Sequence, residues 1–271
     1  MKHEKISSYV VLIVFAVIII FPLFYIISVS LQSFNEVSKY PPTIIPQVLK
    51  FTNYITLFKM GHFARFFLNS LIFAGSLTIS HMFLSSLAGY VLAKFEFPFK
   101  RTITLLVLTS MMFPVNMRVI PVYTLIVKLG LAGTYTGLII PFLTGGFTIF
   151  IMRQYIVSAI PDAFIDAARL DGASEFKIFW TIVLPLAKPA LAVVAIFQFV
   201  LRWNMFLWPL IITTSKLQTL PVALAGLKES ERFVQWNIIG AGCVFLIVPT
   251  LTLFLIFQRF IISETGGGLK F

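Results

Sequence analysis

Residues Tyr9 to Leu31 read YVVLIVFAVIIIFPLFYIISVSL, with no charged side chain among them. As a helix this run is long enough to cross about 30 Å of hydrocarbon. Lys2 and Lys5 precede it, so a signal peptide is the competing reading. The apolar part of a signal peptide is shorter, about 7–15 residues, and an uncleaved spanning helix is expected instead. Similar runs recur outward from this one, at Phe66–Lys94, Thr102–Val119, Thr136–Tyr155, Leu184–Ile212 and Ile238–Phe260. A lipid-facing segment must satisfy its backbone hydrogen bonds internally, which makes each run a helix. A β-barrel would instead show alternating segments of about ten residues. The expectation is an all-α, polytopic membrane bundle. It forms one domain over 1–271, with six transmembrane helices and both termini on one side.

Composition agrees. The chain is 59% hydrophobic and 11% charged, with a mean hydropathy of +0.97, whereas soluble domains are about a quarter charged. The net charge of +11 would suggest nucleic acid if it lay on one polar face. Here the lysines and arginines fall between apolar runs, where membrane lipids and helix flanks account for them and no nucleic-acid partner is implied. Cys243 is the one cysteine, and His3, His62 and His81 are far apart, so neither a disulfide nor a metal site is expected. Lys2, Lys5 and the tight turn Lys94–Arg101 favour cytoplasmic N- and C-termini by the positive-inside rule, although the basic residues divide almost evenly between the two sides.

The connections carry further expectations. Gln32–Arg65, with Pro41-Pro42 and Pro46, is too polar to span and suits a short surface helix near Thr52–Met60. Pro114 should bend the third span. Val122–Leu131 reads as a short helix that ends at a glycine, and Gly145-Gly146 would let another helix approach closely. Thr213–Asn237, with Lys228, Glu229, Glu231 and Arg232, reads as a loop, and Ile261–Phe271 as a tail. Trp208 and Trp236 suit an interfacial belt.

The most informative internal segment is Pro161–Pro189, PDAFIDAARLDGASEFKIFWTIVLPLAKP. Pro161 fits the first turn of a helix, and Asp162 sits where the helix dipole favours an acid. Ala163, Phe164, Ala167, Ala168 and Leu170 share a face at helical spacing. Gly172 is a stop signal. A helix of about three turns is therefore expected over 161–174, with Asp166, Arg169 and Asp171 as polar rims. Asp166-Ala167-Ala168, three residues, Gly172, nine residues, Ile182, one residue and Leu184-Pro185 together resemble the EAA loop of ABC importer permeases. The departure is Asp166, where that family usually has Glu. Asn69-Ser70, Ala88-Gly89-Tyr90, Pro121-x-Tyr123, Trp203-Asn204 and Gln258-Arg259 extend the resemblance to the carbohydrate-uptake branch, in particular its smaller, maltose-type permease.

The resemblance implies a membrane subunit of an ATP-driven importer in the cytoplasmic membrane of a bacterium or archaeon. Its partners would be a second homologous permease, two ATPase subunits and an external substrate-binding protein. Residues 161–174 would be the coupling helix that docks into a cytoplasmic ATPase, with Asp166, Ala167, Ala168, Asp171, Gly172 and Pro185 as the coupling residues. ATP and Mg²⁺ would be held by the ATPases, with no cofactor in this chain, and in some relatives the tail reaches between those subunits. The chain is no enzyme on this reading. It has no G-x-x-x-x-G-K-[ST] phosphate loop, no H-E-x-x-H, no G-x-S-x-G and no paired carboxylates in a span. Arg202, Trp203 and Asn204 lie within the fifth span, and an intramembrane cation marks a candidate pathway. Asn69, Ser70 and Asn116 are weaker pathway candidates, since helix–helix hydrogen bonding is the better explanation of such residues. The expected solute is a sugar or oligosaccharide, with a glycerol phosphate-type polyol as the alternative. An ion-driven secondary transporter is the competing class.

Overall fold

The structure is a computed structural model that describes residues 2–230 and 234–267, with backbone alone at 2–8, 115, 228–230, 259 and 261–267. Among the described residues it contains helices and no strands. In chain order they are α1 (Lys2–Ser30), α2 (Phe34–Val37), α3 (Thr52–Lys59), α4 (Phe63–Ser80), α5 (Ser86–Lys94), α6 (Lys100–Met112) and α7 (Val119–Lys128). They continue as α8 (Tyr135–Ile139), α9 (Gly146–Ala159), α10 (Asp162–Leu170), α11 (Glu175–Ile178), α12 (Leu184–Leu186), α13 (Lys188–Trp203), α14 (Leu207–Ile212), α15 (Leu220–Ser230) and α16 (Trp236–Gly267).

Three helical stretches, Tyr9–Ser30, Phe63–Lys94 and Trp236–Gln258, are long and apolar enough to cross a membrane alone. Three more arise from bent pairs, which brings the total to the expected six. The breaks follow local chemistry. α6 stops before Pro114, which has no amide hydrogen to donate. After a 3₁₀ turn at Val115–Arg118 the chain continues as α7, with a bend of 93°. The fourth span bends by 46° between Tyr135–Phe142 and Gly146–Ala159.

The fifth span departs most from the sequence reading. Leu184–Leu186 ends one helix, and a 78° bend at Ala187 separates it from α13, which stops at Trp203 before α14 begins. Pro185 and Pro189 flank this bend, so the expected continuous span Leu184–Ile212 is broken into three helices. Thr213–Asn237 is also no simple loop, because Leu220–Ser230 is helical. Glu231 and Arg232 lie outside the described residues, as do the side chain of Arg259 and the tail from Gly268 onward, and with them the expected role of the tail.

The chain divides into two units. One comprises Met1–Phe67 and Leu220–Val248. In it Asn53 donates to the Ser30 and Gln32 carbonyls (2.9 and 2.8 Å) and accepts from Asn237 (2.8 Å). Tyr54, Phe58, Phe63 and Phe67 surround the Phe245 ring at 5.2 to 6.1 Å. Glu36 accepts from the Ser33 amide and hydroxyl and from the Gln47 amide. These bonds favour the ionised form and hold its pKa at about 2. In the most apolar window of α1 no residue is buried within the chain, as a lipid-facing helix requires.

The other unit comprises Leu68–Thr219 and Pro249–Phe271. One cluster in it joins Tyr90 of α5, Met152 and Ile156 of α9, Ile165 of α10, Ile178, Phe179 and Val183 of the following helix, and Val194 of α13. Gly89 makes the α5–α9 approach possible, since a Cβ there would lie 2.8 Å from the Arg153 amide nitrogen. Gly146 does the same against α6, where a Cβ would meet the Val107 carbonyl at 2.6 Å. A second cluster holds Phe73, Leu77, Val119, Leu138, Trp208 and Ile212. Trp208 is fully buried and donates to the Leu138 carbonyl at 3.1 Å. It is therefore a core residue and not part of an interfacial belt.

Candidate functional site

The segment between α9 and α11 folds as a short helix with both ends fixed by sequence-encoded stops. Ile160 is extended, and Pro161 (φ −61°, ψ 140°) caps α10, one position earlier than the first turn expected for it. At the far end Gly172 takes φ +76°, a left-handed conformation that side chains with a Cβ adopt only at a cost. The Gly172 amide donates to the Arg169 carbonyl at 3.0 Å and the Ala173 amide to the Ala168 carbonyl at 2.9 Å, the paired bonds of a Schellman motif. Ser174 then caps α11 through the Lys177 amide.

Two sets of side chains tie α10 to the end of α5. Lys94, with 6% of its side chain exposed, donates to the Ile160 carbonyl at 2.6 Å and to Asp162 Oδ1 at 2.5 Å. The ammonium group holds the Asp162 carboxyl below its ordinary range. Farther along, Arg169 Nε donates to Glu175 Oε1 at 2.7 Å and Nη1 to Asp166 Oδ1 at 3.1 Å. The Tyr90 hydroxyl donates to Glu175 Oε2 at 2.7 Å, and the guanidinium lies 5.5 Å from the centre of the Phe95 ring. Arg169 pushes the Glu175 carboxyl down, and Glu175 pushes the guanidinium up.

These ties orient the helix. Ile165 is buried, and Ala168 is half-buried against the same cluster. Ala163, Phe164, Asp166, Ala167, Leu170, Asp171 and Gly172 point outward. Ala168 therefore does not share the outward face with Ala167, Phe164 and Leu170 as the periodicity suggests. Leu170 is 89% exposed and Phe164 54%, an uncovered apolar pair on a helix whose other side is secured. Pro185 is exposed on α12, beside the 78° bend. Lys94, Tyr90 and Glu175 were missed by sequence reasoning. The available signals were a lysine closing an apolar span and an acid directly after the cap Ser174.

The pathway candidates do not converge on one point. Asn69 is buried and saturated: it donates to the Lys216 and Gln218 carbonyls and accepts from the Tyr135 hydroxyl. Ser70 is buried beside it in the chain. Trp203 is buried and stacks on Phe199 at 5.4 Å. Asn204 ends α13 and donates to the Val200 carbonyl at 2.8 Å, while Asn116 is exposed in the 3₁₀ turn before α7. Arg202 lies over the Phe142 ring at 4.7 Å and reaches Met205 Sδ at 3.7 Å.

Comparison with known proteins fits this architecture. The profile of the family described as binding-protein-dependent transport system inner membrane component matches residues 81–265. The arabinooligosaccharides transport system permease protein AraQ of Bacillus subtilis (strain 168) is 39% identical over 256 residues, covering 93% of this chain and 90% of that protein. The sn-glycerol-3-phosphate transport system permease protein UgpE of Yersinia pestis is 30% identical over 267 residues, 95% of this chain and 94% of that one. Among solved structures, a chain of a bacterial ABC transporter involved in the import of the acidic polysaccharide alginate superposes with a TM-score of 0.82 at 26% identity, covering 95% of this chain and 96% of its own. A permease of this kind works with ATPase and substrate-binding partners, and hydrolysis belongs to the separate ATPase. The chain belongs to the binding-protein-dependent transport system inner membrane component family and is a membrane-embedded permease subunit of an ABC importer.

Proposed function

We propose that the chain carries a sugar or oligosaccharide across the membrane, and that α10 is the surface through which the ATPase drives it. The observation that carries this reading is the uncovered face of α10, with Phe164 and Leu170 at its centre and Asp166 and Asp171 at its rim. That face lies on a helix whose opposite side is secured to α5. An exposed apolar pair on a stiff support is what a partner cleft needs: burial gains about 25 cal/mol per Å², and little ordering entropy is lost because the helix is already fixed. On this reading α10, Pro185 and both termini are cytoplasmic. ATP and Mg²⁺ are bound by two ATPase subunits, a second homologous permease completes the pathway, and the binding protein delivers solute from outside. The names of the arabinooligosaccharide and alginate relatives support a carbohydrate. Two cations at the membrane-embedded helix breaks, Arg118 and Arg202, favour a second reading, a glycerol phosphate-type polyol.

Cys243 is the chain's one cysteine, so Cys243→Ser combined with Ala167→Cys gives a single thiol reporter on the outward face. In the intact complex, a short bifunctional thiol–amine reagent is expected to join position 167 to the ATPase, with the yield changing on ATP binding. Asp166→Ala is expected to lower co-purification of the ATPase. Labelling of position 167 from outside intact cells, or no cross-link under any nucleotide state, would refute the assignment.

A further inference from the structure

Three helices of the Leu68–Thr219 unit run for similar lengths before they break. Counted from the α10 side, α6, α9 and α13 are 13, 14 and 16 residues long, and each rises about 20–24 Å at 1.5 Å per residue. α6 then breaks at Phe113–Pro114, α9 begins at a break over Leu143–Gly145, and α13 ends at Asn204. The second span holds a π-turn, His81–Ser85. Its polar side chains cross to the fourth-span break. His81 bonds the Phe142 carbonyl at 2.8 Å and Thr148 at 2.9 Å, and Ser85 bonds Thr148 at 2.7 Å. Irregular backbone at membrane depth is tolerated only inside protein or along a polar cavity, and in transporters it marks solute sites.

Two arginines sit at these breaks. Arg202 closes α13, with its guanidinium over Phe142 and its buried Nε making no hydrogen bond. The buried Gln198, one turn earlier on α13, has an Oε1 that also lacks a partner. Arg118 caps α7, whose Val119 belongs to the cluster packed by Phe142 and Met205, the two residues that Arg202 touches. The charge of Arg118 acts on Arg202. Among the described residues neither forms an ion pair. The sequence holds no Asp or Glu from Phe97 to Pro161, nor from Phe176 to Lys228. The ion pairs of this unit, among the described residues, all lie at the α10 end. Two like charges, Arg202 half-buried and Arg118 exposed, with no ion pair among the described residues, are stabilised when an anion arrives. Guanidinium groups grip carboxylates and phosphates with paired hydrogen bonds.

We propose that Arg118 and Arg202 form an anion-binding step in the pathway, which takes a carboxylate or phosphate group carried by the transported carbohydrate or polyol. The proposal rests on the importer reading above and narrows its solute to one bearing an acidic group. The test uses the complete importer, with its partner permease, ATPases and binding protein, in phosphatidylcholine liposomes. Three probes are offered: arabinotriose, an alginate-derived trisaccharide and sn-glycerol 3-phosphate. ATP-driven uptake of one of the two anionic probes is expected. Arg202→Gln should lower it ten-fold or more, and Arg202→Lys should lower it less. Arg118→Gln, at an exposed position where folding is not at issue, should also lower it ten-fold or more. Uptake of arabinotriose alone, or undiminished anion uptake in the Gln variants, overturns the anion site and leaves the importer standing. A defect seen only when phosphatidylglycerol is added assigns the arginines to lipid headgroups and overturns it. Loss of the second permease on co-purification of Arg118→Gln assigns them to an acid on that subunit, with the same consequence. No ATP-driven uptake of any probe would instead count against the sugar and polyol solutes proposed above, and against this proposal with them.

Discussion

Lys94 is the side chain whose loss tests the coupling argument most directly. Its ammonium group is almost fully enclosed and joins the Ile160 carbonyl, at 2.6 Å, to the first acid of α10. In Lys94→Met the apolar stem is kept and both bonds vanish. The Ile160 residue is itself buried, so its carbonyl loses a charge-assisted partner worth about 1.5–3 kcal/mol. The Asp162 carboxylate is well exposed and finds water instead. At 1.4 kcal/mol per factor of ten, the ratio of secured to loosened α10 falls by about ten- to a hundred-fold. In reconstituted importer, solute carried per ATP hydrolysed is expected to drop, while ligand-loaded binding protein still docks. Amide hydrogen exchange over residues 160–173 is expected to accelerate by a similar factor. Lys94→Arg retains a cation and should recover part of both. Unchanged stoichiometry together with unchanged exchange in Lys94→Met would refute the reasoning, because α10 would then be held without its principal tie.

Two other outcomes follow from the same loop. Gly172→Val places a β-branched residue at φ +76°, where nothing lies within 4 Å of the added Cβ. The cost is therefore backbone strain of about 1–2 kcal/mol. Hydrolysis should separate from transport while the helices still insert, and Gly172→Asn should be milder. Normal solute uptake per ATP in the valine variant would count against the turn's role. Lowering pH should free α10 from the acid side: Asp162 and Glu175 have depressed pKa values in the folded loop. Their stabilisation is therefore complete above the ordinary carboxylate range and is lost as pH falls through the depressed values. Intrinsic-rate-corrected exchange of α10 amides should stay flat from about pH 8 to about pH 5 and rise below about pH 4. A rise centred near neutrality would show that a different group holds the helix.

Much of this architecture is legible because it depends on local signals. Apolar runs of bilayer length set the number of crossings, Pro114 announces the break after α6, and Gly172 marks where α10 stops. The spacing from Asp166 to Pro185 identifies the loop. What the sequence conceals depends on who faces whom. Periodicity places Ala168 beside Phe164, but the pull of Ile165 into the core turns Ala168 inward. Trp208 resembles a belt residue until the break between α13 and α14 folds it onto Leu138. The helix α15 reads as loop because Lys228 and Glu229 make the segment look polar. Ala88-Gly89-Tyr90 marks the resemblance but not the partner of Tyr90, and Lys94 and Glu175 carry no motif; the pairings span more than sixty residues of chain, from Lys94 to Asp162 and from Tyr90 to Glu175.

That pairing also links α10, through α5, to the helix breaks at the far end of α9. α5 carries Lys94 and Tyr90 at one end, and at the other it runs into the π-turn whose His81 and Ser85 grip Thr148 and the Phe142 carbonyl. Between those ends Gly89 lets α5 lie against the backbone of α9 with no side chain intervening. α9 itself begins at the fourth-span break and ends at Ile160, the carbonyl that Lys94 holds. The two helices thus share fastenings at both ends, one set beside α10 and one at the helix breaks. A pair packed that closely resists bending more than it resists tilting, because bending would drive the Gly89 contact below van der Waals distance. If α10 is the ATPase-driven surface proposed above, its displacement is expected to reach Phe142, which lies under the Arg202 guanidinium, as a tilt of the α5–α9 pair.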